Sequence, residues 1–309
     1  MLDIISNILQ SMVIYATPLI LTALGGLYSE RSGVVNIGLE GMMIIGAFTA
    51  AITSHYTGSP WLALLFAAIA GMFIALPHAV ASITLKADQV VSGVAVNFLA
   101  LGVSVYLVKT LFDAGQTPTV PVLERISIPI LNEIPVIGTA FFDMYPTSYL
   151  AVFVVIITYI ILFHTVFGMR LRAVGEHPHA AETGGISVVG MRYTAVIISG
   201  ILAALGGAGL SIAIGNEFNA TTVAGQGFIA LAALIFGKWH PLGAFGAASF
   251  FGLTVALALV GQLVGLTAYV PSGVLNMIPY VLTILVLAGF VGRAEAPSAL
   301  GKPFEKGTR

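Results

Sequence analysis

Between residues 170 and 187 the chain reads RLRAVGEHPHAAETGGIS, setting two arginines, two glutamates and two histidines close together where only 8% of all residues are charged. His177 and His179 flank Pro178 as a metal pair would, but two imidazoles without a carboxylate at ligand spacing fall short of a donor set. Covalent catalysis needs an activated nucleophile, and the sequence has no cysteine, no G-x-S-x-G elbow and no H-E-x-x-H pair. A phosphate cradle is missing too. Gly237-Lys238 and Gly301-Lys302 lack the preceding glycine spacing and the following Ser or Thr. The stretch therefore reads as a surface for a partner, with no metal and no catalytic residue.

The elements that carry it are set by composition. With 58% hydrophobic residues and a mean hydropathy of +1.02, the chain is far more apolar than a soluble core requires. A net charge of -1 leaves no basic stripe for nucleic acid. A membrane-spanning helix needs about 20 apolar residues. Nine such runs stand near 4–28, 34–54, 61–84, 89–112, 147–167, 192–214, 225–237, 241–264 and 275–292. They are continuous rather than alternating, which excludes an outer-membrane barrel. The predicted fold is an all-α, polytopic bundle forming a single domain over residues 1–309 in the lipid bilayer of a cell membrane. The seventh run, GQGFIALAALIFG, is short and reads as a broken or tilted helix.

Cytoplasmic loops collect Lys and Arg. Nine spans put Arg31, Lys86, Arg170, Arg172, Arg192, Lys238, Arg293, Lys302, Lys306 and Arg309 on one side, leaving Lys109 and Arg125 on the other. The N-terminus is then outside, and the tail 293–309 and the polar segment 168–191 are inside. The outer loop 113–146, rich in proline, reads as an ordered cap. Pro178 suits a first helical turn, and Gly184 or Gly185 suits a helix end, so PHAAETGG predicts a short helix at the membrane surface. So short a helix needs something to pack on.

Here the residues resemble a family. RAVGEHPHAAETGGISV is similar to the coupling segment of permease subunits of ABC importers serving simple sugars, nucleosides and branched-chain amino acids. Gly175, Glu176, Pro178, Ala180, Ala181, Gly185 and Ile186 match its pattern, as do Ala173 and Val174, while His177 stands where the family has Asn, a better helix cap. LGGLYSERSGVVNIGLEGMMIIGAF, from Leu24 to Phe48, and GQGFIALAALIFGKWHPLGA, from Gly225 to Ala244, resemble two further family blocks. The SERSGVVNIGLEG wording is most similar to nucleoside-type members. The resemblance implies that this chain forms the pathway for a small polar solute. It also implies a separate ATP-binding subunit, carrying ATP and Mg, on the coupling helix, a second permease as paralogue or self copy, and an extracellular or lipid-anchored binding protein.

Polar groups inside spans mark a pathway or a helix contact. Glu40 lies seven residues past Gly33, about 10 Å along a helix. If the second and fourth spans adjoin, the Asn97 amide donates to its carboxylate. Asn36, Asn216, Glu217 and Asn276 complete the candidate pathway set, with structural capping or simple loop solvation as the competing role. A sugar importer of the same family is the nearest alternative. An ion-coupled secondary transporter would carry more intramembrane carboxylates than Glu40 and would have no use for a coupling segment.

Overall fold

The computed structural model describes residues 2–263 and 295–305, with Val270, Val274, Met277 and Val281 between them. Apart from Met277 and Val281, the ninth predicted run, 275–292, and with it Asn276, lies outside the described residues. The helices are α1 (Leu2–Arg31), α2 (Leu39–Thr57), α3 (Pro60–Ala79), α4 (Gln89–Phe112), α5 (Ile137–Phe142), α6 (Pro146–His164), α7 (Val166–Glu176), α8 (Pro178–Thr183), α9 (Val188–Gly209), α10 (Gln226–Phe236) and α11 (Pro241–Leu263). Single π-helical turns extend α3 over Val80–Thr84 and α9 over Leu210–Ile214.

Local chemistry sets the starts. Asp88 Oδ1 accepts the amides of Val90 and Val91, both at 2.9 Å, to begin α4. Thr165 and Ser187 cap α7 and α9 in the same way, and Pro60 and Pro146 occupy the first turns of α3 and α6.

Among the described residues, six helices are long and apolar enough to cross a membrane: α1, α3, α4, α6, α9 and α11. The polytopic, helical architecture stands, but the nine expected spans are not all found among the described residues, and two predicted runs need correction. The second run is helical only from Leu39 rather than residue 34, because 32–38 is not helical, and α2 is not among the six. The fifth ends at His164, where Thr165 breaks the chain to cap α7. The seventh is short, as expected, at 11 residues, about 16 Å of helix against a hydrocarbon layer of about 30 Å.

Helix α1 is central, packed against α9, α10 and α11, while α2 and α3 close on the other side of α9. Close approach depends on small residues, as the sequence suggests: Gly41 abuts Val96 and Asn97 of α4, and Gly46 abuts Ala204 of α9. One apolar core joins α1, α6, α9, α10 and α11, and a second joins α2, α3, α4 and α9.

The ends of the bundle differ. At one, residues 113–146 form a two-stranded hairpin (Ile126–Ser127 with Asp143–Met144), α5 and a 3-10 turn, and bond to 212–219 through Thr117, Val120 and Leu123. At the other, α7, α8 and residues 297–305 gather around Arg31, Lys86 and Arg192.

Candidate functional site

The irregular segment SGVVNIG, residues 32–38, separates α1 from α2. Backbone amides and carbonyls left by an unwound stretch must find partners inside the protein, because hydrocarbon offers none. Here they come from α1 itself and from several other elements, and the amides of Ser32, Gly33 and Val34 turn back to Ser29 O and Glu30 O. Ser32 O accepts from Arg192 Nε at 3.2 Å, Gly33 O from the Gly301 amide at 3.1 Å and Val34 O from Ser29 Oγ at 2.8 Å. Val35 N donates to Gln89 Oε1 at 2.7 Å, while Val35 O lies 3.0 Å from His78 Nε2. His78 Nδ1 is 3.0 Å from Ser92 Oγ, so the ring donates to the carbonyl and accepts the hydroxyl. Asn36 is fully buried and donates to Ser199 Oγ at 2.8 Å, leaving its Oδ1 without a partner.

Asn97 ends the segment. Its Nδ2 donates to Ile37 O at 3.0 Å, and its Oδ1 accepts the Gly41 amide at 2.7 Å. The expected bond from Asn97 to Glu40 is therefore replaced. Helix α4 does adjoin α2, but the amide serves the exposed backbone at the start of α2, where free N–H and C=O groups need it more. Nor does Glu40 sit along a helix counted from Gly33, since α2 starts one residue before it.

The Glu40 carboxylate instead caps α10. Oε1 accepts the Gly225 amide and Oε2 the Gly227 amide, both at 2.7 Å. Free amides and the positive end of the helix dipole favour a carboxylate there. Gly227 permits the approach, since a Cβ on it would lie 2.5 Å from Glu40 Cα. Glu40 is 8% exposed and both its oxygens are occupied, which fits the capping role better than substrate contact. Asn36, Glu40 and Asn97 thus belong to one joint. Asn216 and Glu217 belong to the far end: Asn216 O accepts the Val120 amide at 2.8 Å and Glu217 Oε2 accepts Gln116 Nε2 at 3.0 Å.

The polar island forms two helices. α7 ends at Glu176, and α8 covers six residues with Pro178 in its first turn. His177 makes no side-chain cap bond, as its departure from Asn suggested. Gly185 has φ +81, which favours glycine. Ala181 is buried with Val174, Val188 and Phe304, whereas His177, His179, Ala180, Thr183, Gly184 and Gly185 face outward and Ile186 is half-buried.

Residues 297–305 lace this unit to the joint, and no sequence motif announced them. Glu176 Oε2 accepts Ser298 Oγ at 2.9 Å and the Ser298 amide at 3.2 Å, and Gly175 O accepts the Ala299 amide at 2.9 Å. Gly175 itself abuts Arg31 O. Farther along, Lys302 O accepts Arg192 Nη1 at 3.1 Å, and Glu305 pairs with Lys86 at 3.0 Å. Arg192 is 1% exposed and bonds to both the tail and the 32–38 segment, although the sequence marked it only as a loop charge.

Residues 8–287 match the family described as the branched-chain amino acid transport system / permease component. The guanosine ABC transporter permease protein NupQ of Bacillus subtilis is 52% identical over 315 residues, covering 99% of each chain. The nucleoside ABC transporter permease protein NupC of Lactococcus lactis is 45% identical over 306 residues, covering 97% of this chain and 96% of that one. The putative glucose ABC transporter permease protein TsgC13 of Haloferax volcanii is 35% identical over 328 residues, covering 97% and 98%. No solved structure matches the chain.

Two outcomes test this geometry. Glu40→Ala strands two buried amides and is expected to lower the unfolding free energy of the purified protein by about 3 kcal/mol. Unchanged stability together with lost transport would instead make Glu40 a substrate contact. Phe304→Ala removes the ring that holds α8 down, and by the cost of such truncations it should speed amide exchange at 181–186 about a hundredfold. Unaltered exchange would mean that α8 does not depend on the tail.

Proposed function

The chain belongs to the family of branched-chain amino acid transport system permease components, and from that we propose that it forms the membrane pathway of an ATP-driven importer of nucleosides. The observation that carries the substrate class is the near-full-length similarity to two permeases named for guanosine and for nucleosides. Similarity to a putative glucose permease keeps a sugar as the second reading.

In this reading ATP and Mg are bound by a separate subunit that docks on the outward face of α8, around His179, Ala180 and Gly184. The N-terminus lies outside and α8 and the tail lie inside, in a bacterial cell membrane. A second permease completes the pore, and a binding protein delivers the solute at the end built by 113–146.

The bonding supports a route for the motor's displacement. Movement of α8 is carried through Ala181 to Phe304 and through Glu176 to Ser298, then by Gly301 and Lys302 to Gly33 and Arg192. The 32–38 segment passes it to α2, and Glu40 hands it to α10. Contacts of this kind couple two sites only if both ends of the path have alternative arrangements. An unwound joint and a half-length helix are the elements best able to supply them.

Ala180 is the cleanest probe of docking, since it is exposed, whereas Gly185→Arg would add backbone strain at positive φ. We expect Ala180→Arg to insert and fold normally, but to lose co-purification of the ATP-binding subunit and ATP-driven nucleoside uptake in proteoliposomes. Wild-type uptake in that variant, or uptake by the wild-type chain alone under an ion gradient, would contradict the reading.

A further inference from the structure

At the α8 end of the bundle, on the side where α6 meets α7, four elements bring cations and aromatic rings together. The Arg172 guanidinium lies over the Phe163 ring, with Cζ 5.0 Å from the centroid. The His240 ring is 5.1 Å from Phe163 and 5.9 Å from Tyr159. Arg31 Nε donates to Trp239 O at 2.8 Å, beside His240 in the chain.

The charges of this group do not balance locally. Arg31 and Arg172 act on each other as like charges, and Arg31 also lowers the affinity of His240 for a proton, after the larger effect of burial. Glu176 is close enough for its charge to reach Arg31, but its Oε2 is taken up by Ser298. Among the described residues, neither arginine has a carboxylate within the 4.0 Å of an ion pair. Arg172 Nε is buried with no hydrogen-bond partner. Two like-charged, half-buried guanidiniums with no paired carboxylate favour an anion.

The surroundings say which kind. Phe153, Ile156 and Ile160 form an exposed apolar face along α6, continued by exposed Val166 and Met169 at the start of α7. Tyr159, Phe163 and His240, all half-buried, stand at the end of that face, the position of an interfacial aromatic belt. A free inorganic anion gains nothing from an adjacent apolar wall, whereas a lipid uses both parts. We infer that Arg31, Arg172 and His240, walled by Phe163 and Tyr159, bind the phosphate headgroup of one anionic phospholipid whose acyl chains lie along α6. The inference requires only that the chain spans a membrane and does not depend on what it transports.

Native mass spectrometry of the detergent-purified chain tests it, with phosphatidylglycerol, phosphatidylcholine and inorganic phosphate as probes. Two arginines predict a preference of about thirtyfold for phosphatidylglycerol over phosphatidylcholine, and Arg172→Gln should reduce it about fivefold. Arg170→Gln, an exposed arginine two positions away, should leave it unchanged. Equal binding of the two lipids by the wild-type chain would overturn the inference even if a variant failed to fold, as would wild-type preference in Arg172→Gln. Displacement of the lipid by inorganic phosphate would assign the site to a free anion instead. Displacement by the assembled ATP-binding subunit would assign the arginines to an acidic protein surface.

Discussion

The structure rests on one constraint: backbone that leaves the helix inside a membrane bundle must be satisfied by the protein itself. Residues 32–38 break the path between α1 and α2, and α10 begins with free amides after another irregular stretch. Several of the long polar side chains of an otherwise apolar interior serve these two places. His78, Gln89, Asn97 and Arg192 bond to the first, and Glu40 bonds to the second. Removing any one would leave a buried backbone group exposed to a medium that cannot hydrate it, so the set acts as a unit. Asn36 Oδ1, Gln89 Nε2 and Arg192 Nη2 are exceptions at the joint, buried polar atoms without a partner.

The same constraint explains the polar island. A six-residue helix has too few internal bonds to stand alone. α8 therefore leans on Val174, Val188 and Phe304, and Phe304 is brought there by a tail bonded to both Glu176 and the 32–38 segment. What faces outward includes Ala180 and two glycines beside His177 and His179, small residues that allow close contact with another protein. A solvated connector would have no reason to be tied to the hydrogen-bonded 32–38 joint.

Much of this was legible before any coordinates. Run length and hydropathy located the long helices, because burial in lipid writes itself as composition. Pro178 and the glycines at 184 and 185 marked α8, because they act through local backbone geometry. The shortness of GQGFIALAALIFG correctly announced α10 as incomplete. The break at 32–38 was hidden because VVNIG is as apolar as a helix, and only its partners on other elements make unwinding tolerable. Glu40 and Asn97 were singled out correctly as polar groups needing help, yet they were paired with each other rather than with backbone. Partner choice is a tertiary fact, and residue type alone does not carry it. The tail was invisible for the same reason: Ser298, Gly301 and Phe304 have ordinary identities and become structural through what they touch.

The central claim is that 32–38 and the start of α10 are a closed hydrogen-bonded joint rather than loose connections. Residue-resolved hydrogen exchange of the purified protein in lipid nanodiscs tests it directly. The amides of Val35, Gly41, Gly225 and Gly227 should exchange as slowly as those in the middle of α9, since each is held by a buried or half-buried side chain. Exchange at the rate of the exposed turn around Thr221 would contradict the account, because a joint that opens freely could neither brace the bundle nor carry movement from α8.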